Sequence, residues 1–213
     1  MMKKTQYQSE QERVRKRYDG MARTYAATGR LIAAHRHDAT VALGVQPGEH
    51  ILDLACGPGV NFKNILKDLG AGGLLVGIDY SSGMIEQAQQ RVKLNEWSNV
   101  TPLVGDAAKL PFADCEFDRV LGTYSFSVIP EYRQAFDEVA RVLKPGGLLV
   151  VLDGKLCKGL LRILNPLVKL LARAPVSDIT RRLTDEIAQR FQVVRITEYD
   201  LGFTFLAVAY KKK

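Results

Sequence analysis

A chain of 213 residues with 46% hydrophobic content suits one globular domain with a sizeable core. Its three widely spaced cysteines, Cys56, Cys115 and Cys157, argue against a disulfide framework and a zinc site and for a reducing, cytoplasmic compartment; the opening residues carry no apolar signal core, and no apolar run approaches the roughly 18–20 residues of a spanning helix. The net charge of +7 is uneven, with +5 in residues 1–30, +6 in residues 155–182 and −4 in the remainder, so the basicity belongs to two added segments and asks for an anionic surface as partner.

Residues 8–42 read as helix with a break at Gly20 and Gly29, and residues 1–42 form a helical cap on a single domain spanning 1–213. Pro47-Gly48 turns the chain into a strand over 51–55. A helix over 60–69 stops at Gly70, and a strand over 74–79 follows. Ser81 or Ser82 caps a helix that runs to about Leu94. A strand over 100–104 leads to Asp106, and Phe117 to Gly122 is the fourth strand. Glu131 to Leu143 is a helix stopped by Pro145-Gly146-Gly147, and Leu148 to Leu152 is a fully apolar fifth strand. Residues 192–199 and 203–210 alternate as a closing hairpin turned at Asp200-Leu201-Gly202. Strands alternating with helices predict an α/β fold, a doubly wound, Rossmann-like parallel sheet with helices on both faces.

Residues 51–59 read Ile-Leu-Asp-Leu-Ala-Cys-Gly-Pro-Gly, and Asp79 ends the next apolar run twenty residues after Gly59. Gly57 and Gly59 let the backbone turn sharply against a ligand. Asp79, at a strand end, suits the two hydroxyls of a ribose. A dinucleotide fingerprint needs a third glycine where this chain has Phe62, which argues against a pyrophosphate cradle. Asp53 suits a cationic ligand such as an amino-acid ammonium. A nucleoside that carries an amino acid and no phosphate is S-adenosylmethionine.

Four motifs carry a family resemblance: Asp-Leu-Ala-Cys-Gly-Pro-Gly at 53–59, Gly-Ile-Asp-Tyr-Ser at 77–81, Gly-Asp-Ala at 105–107 and Arg-Val-Leu-Lys-Pro-Gly-Gly at 141–147. In order and spacing they resemble the class I S-adenosylmethionine-dependent methyltransferases. The resemblance implies seven strands with the last antiparallel. It implies that Asp53, Ala55, Gly57 and Gly59 serve the methionine half of the cofactor and Asp79 and Tyr80 the ribose. It places Asp106 on the adenine amino group, the Ala107 N–H on the adenine ring, and Thr123 and Tyr124 beside the methionine. Met84 has two readings, adenine packing or ordinary helix core. Tyr18 and Tyr25 resemble the paired aromatics that cover the cofactor in this family, and with Tyr124 they are the candidate catalytic residues; packing of an amphipathic helix is the alternative for the first two. Where relatives often read Tyr-Asp, this chain reads Tyr25-Ala26.

The acceptor is read from residues 155–173. Lys155, Lys158, Arg162, Asn165, Lys169 and Arg173 fall within an arc of roughly 80°, and leucines with Ile163 and Val168 fill the rest. Pro166 adds a kink. Such a stripe fits either a helix lying in an anionic membrane interface or a packed lid. A nucleic-acid acceptor is disfavoured, because residues 123–128 read Thr-Tyr-Ser-Phe-Ser-Val and not an Asn-Pro-Pro-Tyr-like motif. A cofactor-binding scaffold without activity is the third class.

The expectation is therefore a monomeric enzyme at the membrane surface with a lipophilic substrate. The ending Leu-Gly-Phe-Thr-Phe-Leu-Ala-Val-Ala and the basic insertion resemble bacterial phosphatidylethanolamine N-methyltransferases, so methylation of the phosphatidylethanolamine amine is the leading expectation and a prenylquinone C-methyltransferase the alternative. Tyr-Asp-x-x-Ala at 18–22 resembles the ubiquinone/menaquinone C-methyltransferases, although their Arg-Asn-Val stretch is missing. A quinol acceptor needs a base, for which His35 and His37 are candidates. These sit i, i+2 on a helix and face apart, with solvated surface positions as the other reading. His50 reads as structural.

Overall fold

Ile51, Leu52 and Leu54 are each fully buried, yet Ile51 packs in one apolar cluster and Leu52 and Leu54 in another. That period-2 division is what a strand covered on both faces requires. The computed structural model describes residues 12, 13, 16, 30–157, 163, 165, 166 and 177–212. In chain order these form α1 (Arg30–Leu43), β1 (His50–Leu54), α2 (Phe62–Leu69), β2 (Leu74–Asp79), α3 (Ser82–Leu94), β3 (Val100–Val104) and β4 (Phe117–Thr123). They continue through α4 (Tyr132–Val142), β5 (Leu143–Gly154), α5 (Leu183–Arg190), β6 (Phe191–Tyr199), a 3₁₀ turn (Asp200–Gly202) and β7 (Thr204–Lys211).

The seven strands lie in the order β3-β2-β1-β4-β5-β7-β6. The first five pair in parallel, and β7 runs antiparallel to both β5 and β6. One face is covered by α1, α2 and α3 through Ala39, Leu43, Phe62, Ile65, Leu69 and Ile85. The other is covered by α4 and α5 through Phe136, Val139, Leu183 and Ile187. Strand order reverses between β1 and β4, and a doubly wound sheet opens its binding crevice there, beyond the carboxyl ends of the strands.

Local signals set most boundaries. Ser81 caps α3, its hydroxyl accepting from the Met84 N–H at 3.1 Å. Gly70 ends α2 with φ +68°. α4 ends at Val142, one residue before the expected Leu143, which is already extended and pairs with Phe117. Pro145-Gly146-Gly147 thus lies inside β5 at a shift of register against β4, not at a helix end. Within the expected cap, α1 runs from Arg30 to Leu43, and the expected breaks at Gly20 and Gly29 lie outside the described residues. Tyr18, Tyr25 and most of 155–173 lie outside the described residues. Among the described residues no helix is long and apolar enough to cross a membrane.

Candidate functional site

Four strand ends build one crevice at the switch point. β1 delivers Ala55 and Gly57, β2 delivers Asp79 and Tyr80, β3 delivers Gly105, Asp106 and Ala107, and β4 delivers Thr123 and Tyr124. Ala55 and Tyr124 take φ of +51° and +53°, unusual for residues with a Cβ. Such strain collects where the surroundings hold a loop in a working shape.

The first loop is pinned from below. Cys56 N–H donates to the Ile78 carbonyl at 3.0 Å, and Arg91 Nε to the Pro58 carbonyl at 2.9 Å. Asp79 accepts from Gly57 N–H through Oδ2 and from Ser81 N–H through Oδ1, each at 2.9 Å. Two backbone donors therefore aim the carboxylate at the edge of the crevice. Asp106 is aimed similarly, Oδ1 accepting from Ala108 N–H at 2.9 Å. Met84 is 1% exposed, as helix core requires, and also lines the crevice.

Gly59 and Asp53 do not line the crevice. A Cβ on Gly59 would stand 2.5 Å from the Phe62 ring, and one on Gly77 would stand 2.6 Å from it. Phe62, fully buried, fills the space that a third glycine leaves open in a pyrophosphate cradle. Asp53 lies beneath the floor, fully buried, and accepts from Asn61 Nδ2 at 3.1 and 3.2 Å. Asn61 Nδ2 also reaches Thr123 Oγ1 at 3.1 Å, and Arg36 of α1 donates to the same hydroxyl. Arg36 and Asn61 were not legible as site residues: Asn61 sits at the N-cap of α2 but turns its side chain inward. Ile78, Gly105, Val128, Ile129 and Pro130 also line the crevice without having been singled out for it. Of these only Gly105 carried a signal, within Gly-Asp-Ala.

Burial pushes the Asp53 carboxyl up from 3.8 to about 7, only partly offset by Asn61 and by the Arg36 charge. The folded state therefore holds a proton that the unfolded chain has lost, and this group's contribution to stability falls as pH rises from 3.8 to about 7. An Asp53→Asn variant should gain stability relative to the parent over that window, by about 2–4 kcal/mol, and hold the gain above it. Calorimetric unfolding of both proteins between pH 4 and 8 checks this. A pH-independent difference would remove Asp53 from the balance.

His35 corrects the solvated reading of that position. It is 8% exposed, while His37 is exposed, as facing apart requires. His50 opens β1, its N–H donating to Asp118 Oδ2 at 2.8 Å, a structural role.

Residues 51–147 match the family model described as "Methyltransferase domain". The chain is 32% identical over 152 residues to a demethylmenaquinone methyltransferase from a Geobacillus species, covering 69% of this chain and 65% of that protein. It is 28% identical to the demethylmenaquinone methyltransferase of Geobacillus stearothermophilus, covering 96% of this chain and 99% of that one. Among solved structures, a SAM-dependent methyltransferase from Aquifex aeolicus superimposes with a TM-score of 0.69 at 22% identity, over 91% of this chain and 98% of that one.

Proposed function

The chain belongs to the class I S-adenosylmethionine-dependent methyltransferases, and on that premise we propose that it methylates a ring carbon of a prenylated hydroquinone. The cofactor supplies a methyl group on a sulfonium, already activated for in-line displacement. The protein's part is positioning, exclusion of water and a base for the acceptor. In this reading Asp79 takes the ribose hydroxyls, with Tyr80 beside it. Ile78 and Met84 face the adenine, and Asp106 and the Ala107 N–H read its edge. Ala55, Gly57 and Thr123 hold the methionine half. Asp53 and Gly59 act from below, the first by fixing Asn61 and the second by seating Phe62. Tyr18 and Tyr25 cover the bound cofactor.

The observation that supports this acceptor is the reach of the similarity. It runs through 96% of the chain, the acceptor side included, and does not stop at the cofactor half. Val128, Ile129 and Pro130 add an apolar wall next to Tyr124, suited to a lipophilic ring. The second reading is the amine of phosphatidylethanolamine, favoured by the basic insertion. Either acceptor resides in a membrane, so the proposal includes peripheral contact with anionic lipid through 155–173 by a monomer.

Incubating the full chain with deuteromethyl cofactor and anionic vesicles holding both acceptors should place the label on the hydroquinone, read by mass spectrometry. Label on the amine alone would install the second reading. In the same vesicles the protein should sediment and be released by salt. Unchanged sedimentation after Lys158→Glu, Arg162→Glu and Lys169→Glu together would leave 155–173 as a packed lid.

A further inference from the structure

We propose that Tyr124, His35 and Asp200 form a proton relay that deprotonates the acceptor's ring hydroxyl, an assignment that rests on the hydroquinone reading. Three separate elements build it. Tyr124 follows β4 and lines the crevice. Its hydroxyl lies 3.5 Å from Nδ1 of His35 on α1. The same Nδ1 lies 3.6 Å from Oδ2 of Asp200, in the turn between β6 and β7.

Each member is held in place. The Tyr199 ring walls His35 at 4.6 Å between centroids, and Asp38 bonds to Tyr199. Thr204 Oγ1 donates to Asp200 Oδ2 at 2.8 Å, and Asp200 sits at φ +51°. The Arg36 guanidinium lies 5.2 Å from the centroid of the Tyr124 ring, where its charge favours electron density on the phenol oxygen. A carboxylate and a phenol thus converge on one nitrogen of a buried histidine, beside the crevice and apart from the groups suited to the nucleoside.

The acceptor's hydroxyl proton passes to the Tyr124 oxygen as the Tyr124 proton passes to Nδ1 of His35. The imidazolium so formed faces Asp200, whose charge stabilises it. The electron pair left on the acceptor oxygen moves into the ring, and the ring carbon bonds to the methyl as the methyl–sulfur bond breaks, leaving a neutral thioether. That carbon then loses its hydrogen as a proton, the oxygen regains one from the relay, and one proton leaves to water per turnover. Tyr124 is the catalytic residue, His35 takes its proton, and Asp200 is a positioning residue.

The test compares the full chain with Tyr124→Phe, His35→Ala and Asp200→Asn on demethylated prenylhydroquinone at saturating cofactor. The first two should lose about 10²–10⁴-fold in kcat with cofactor Kd unchanged. Added imidazole should restore part of the His35→Ala loss. Asp200→Asn should lower kcat without raising KM. Parent-like kcat in Tyr124→Phe or His35→Ala overturns the relay and leaves the hydroquinone reading standing. A loss that imidazole leaves untouched makes His35 a packing residue and also overturns the relay. A parent that does not methylate the hydroquinone overturns both.

Discussion

An Asp79→Ala variant should bind S-adenosylmethionine about a hundredfold more weakly than the parent. The carboxylate meets two backbone donors, Gly57 N–H and Ser81 N–H, that belong to the loop and to the helix start flanking the crevice. Removing it orphans both and leaves a ribose without its acceptor. Hydrogen bonds to a charged group are worth about 1.5–3 kcal/mol each, so a net cost near 3 kcal/mol is a modest sum of these losses. The Gly57 loop should loosen without coming free, because Cys56 N–H and the Pro58 carbonyl remain as its tethers. Titration calorimetry on both proteins reads the effect directly. Unchanged affinity would show that Asp79 serves only the backbone and would move the ribose elsewhere.

Phe136→Ala should be the costliest core change, at about 3–5 kcal/mol. Phe136 is fully buried on α4 and stacks on Phe126 at 3.9 Å with an interplanar angle of 2°. Phe126 belongs to the segment after β4 that also carries Tyr124 and the crevice wall at Val128 to Pro130. That segment is otherwise tied down by Ser127 N–H donating to the buried Asp153 at 3.1 Å and by Arg181 donating to the Phe126 and Ile129 carbonyls. Truncation leaves a void that these polar ties cannot fill. The thermal midpoint should drop by about 10 °C for a domain of this size. Phe136→Leu should cost much less, since it keeps most of the volume. Equal midpoints for Phe136→Ala and the parent would mean that Phe126 closes the gap unaided.

What was legible in the chain by itself was everything carried by short-range pattern. Strand-length apolar runs between helical segments, glycines at 57 and 59, and acids at successive strand ends specify a doubly wound sheet and a nucleoside crevice. Each of those signals lies within one element and its adjoining turn. Phe62 could be read as excluding a pyrophosphate, but only the fold shows it seated under Gly59 and Gly77, residues of two different strand ends. The expected end of α4 at Leu143 lies next to the observed Val142, whereas β5 starts at Leu143 and not at the expected Leu148, because pairing of Leu143 with Phe117 draws Pro145-Gly146-Gly147 into the sheet. His35 carried no signal that separated it from His37 beyond facing the other way. Tertiary structure alone sets it against Tyr124, 89 residues further on, and against a hairpin turn near the chain's end. Asn61 and Arg36 were silent for the same reason. Their roles are defined by Asp53 and Thr123, which only the pairing of β1 with β4 brings side by side.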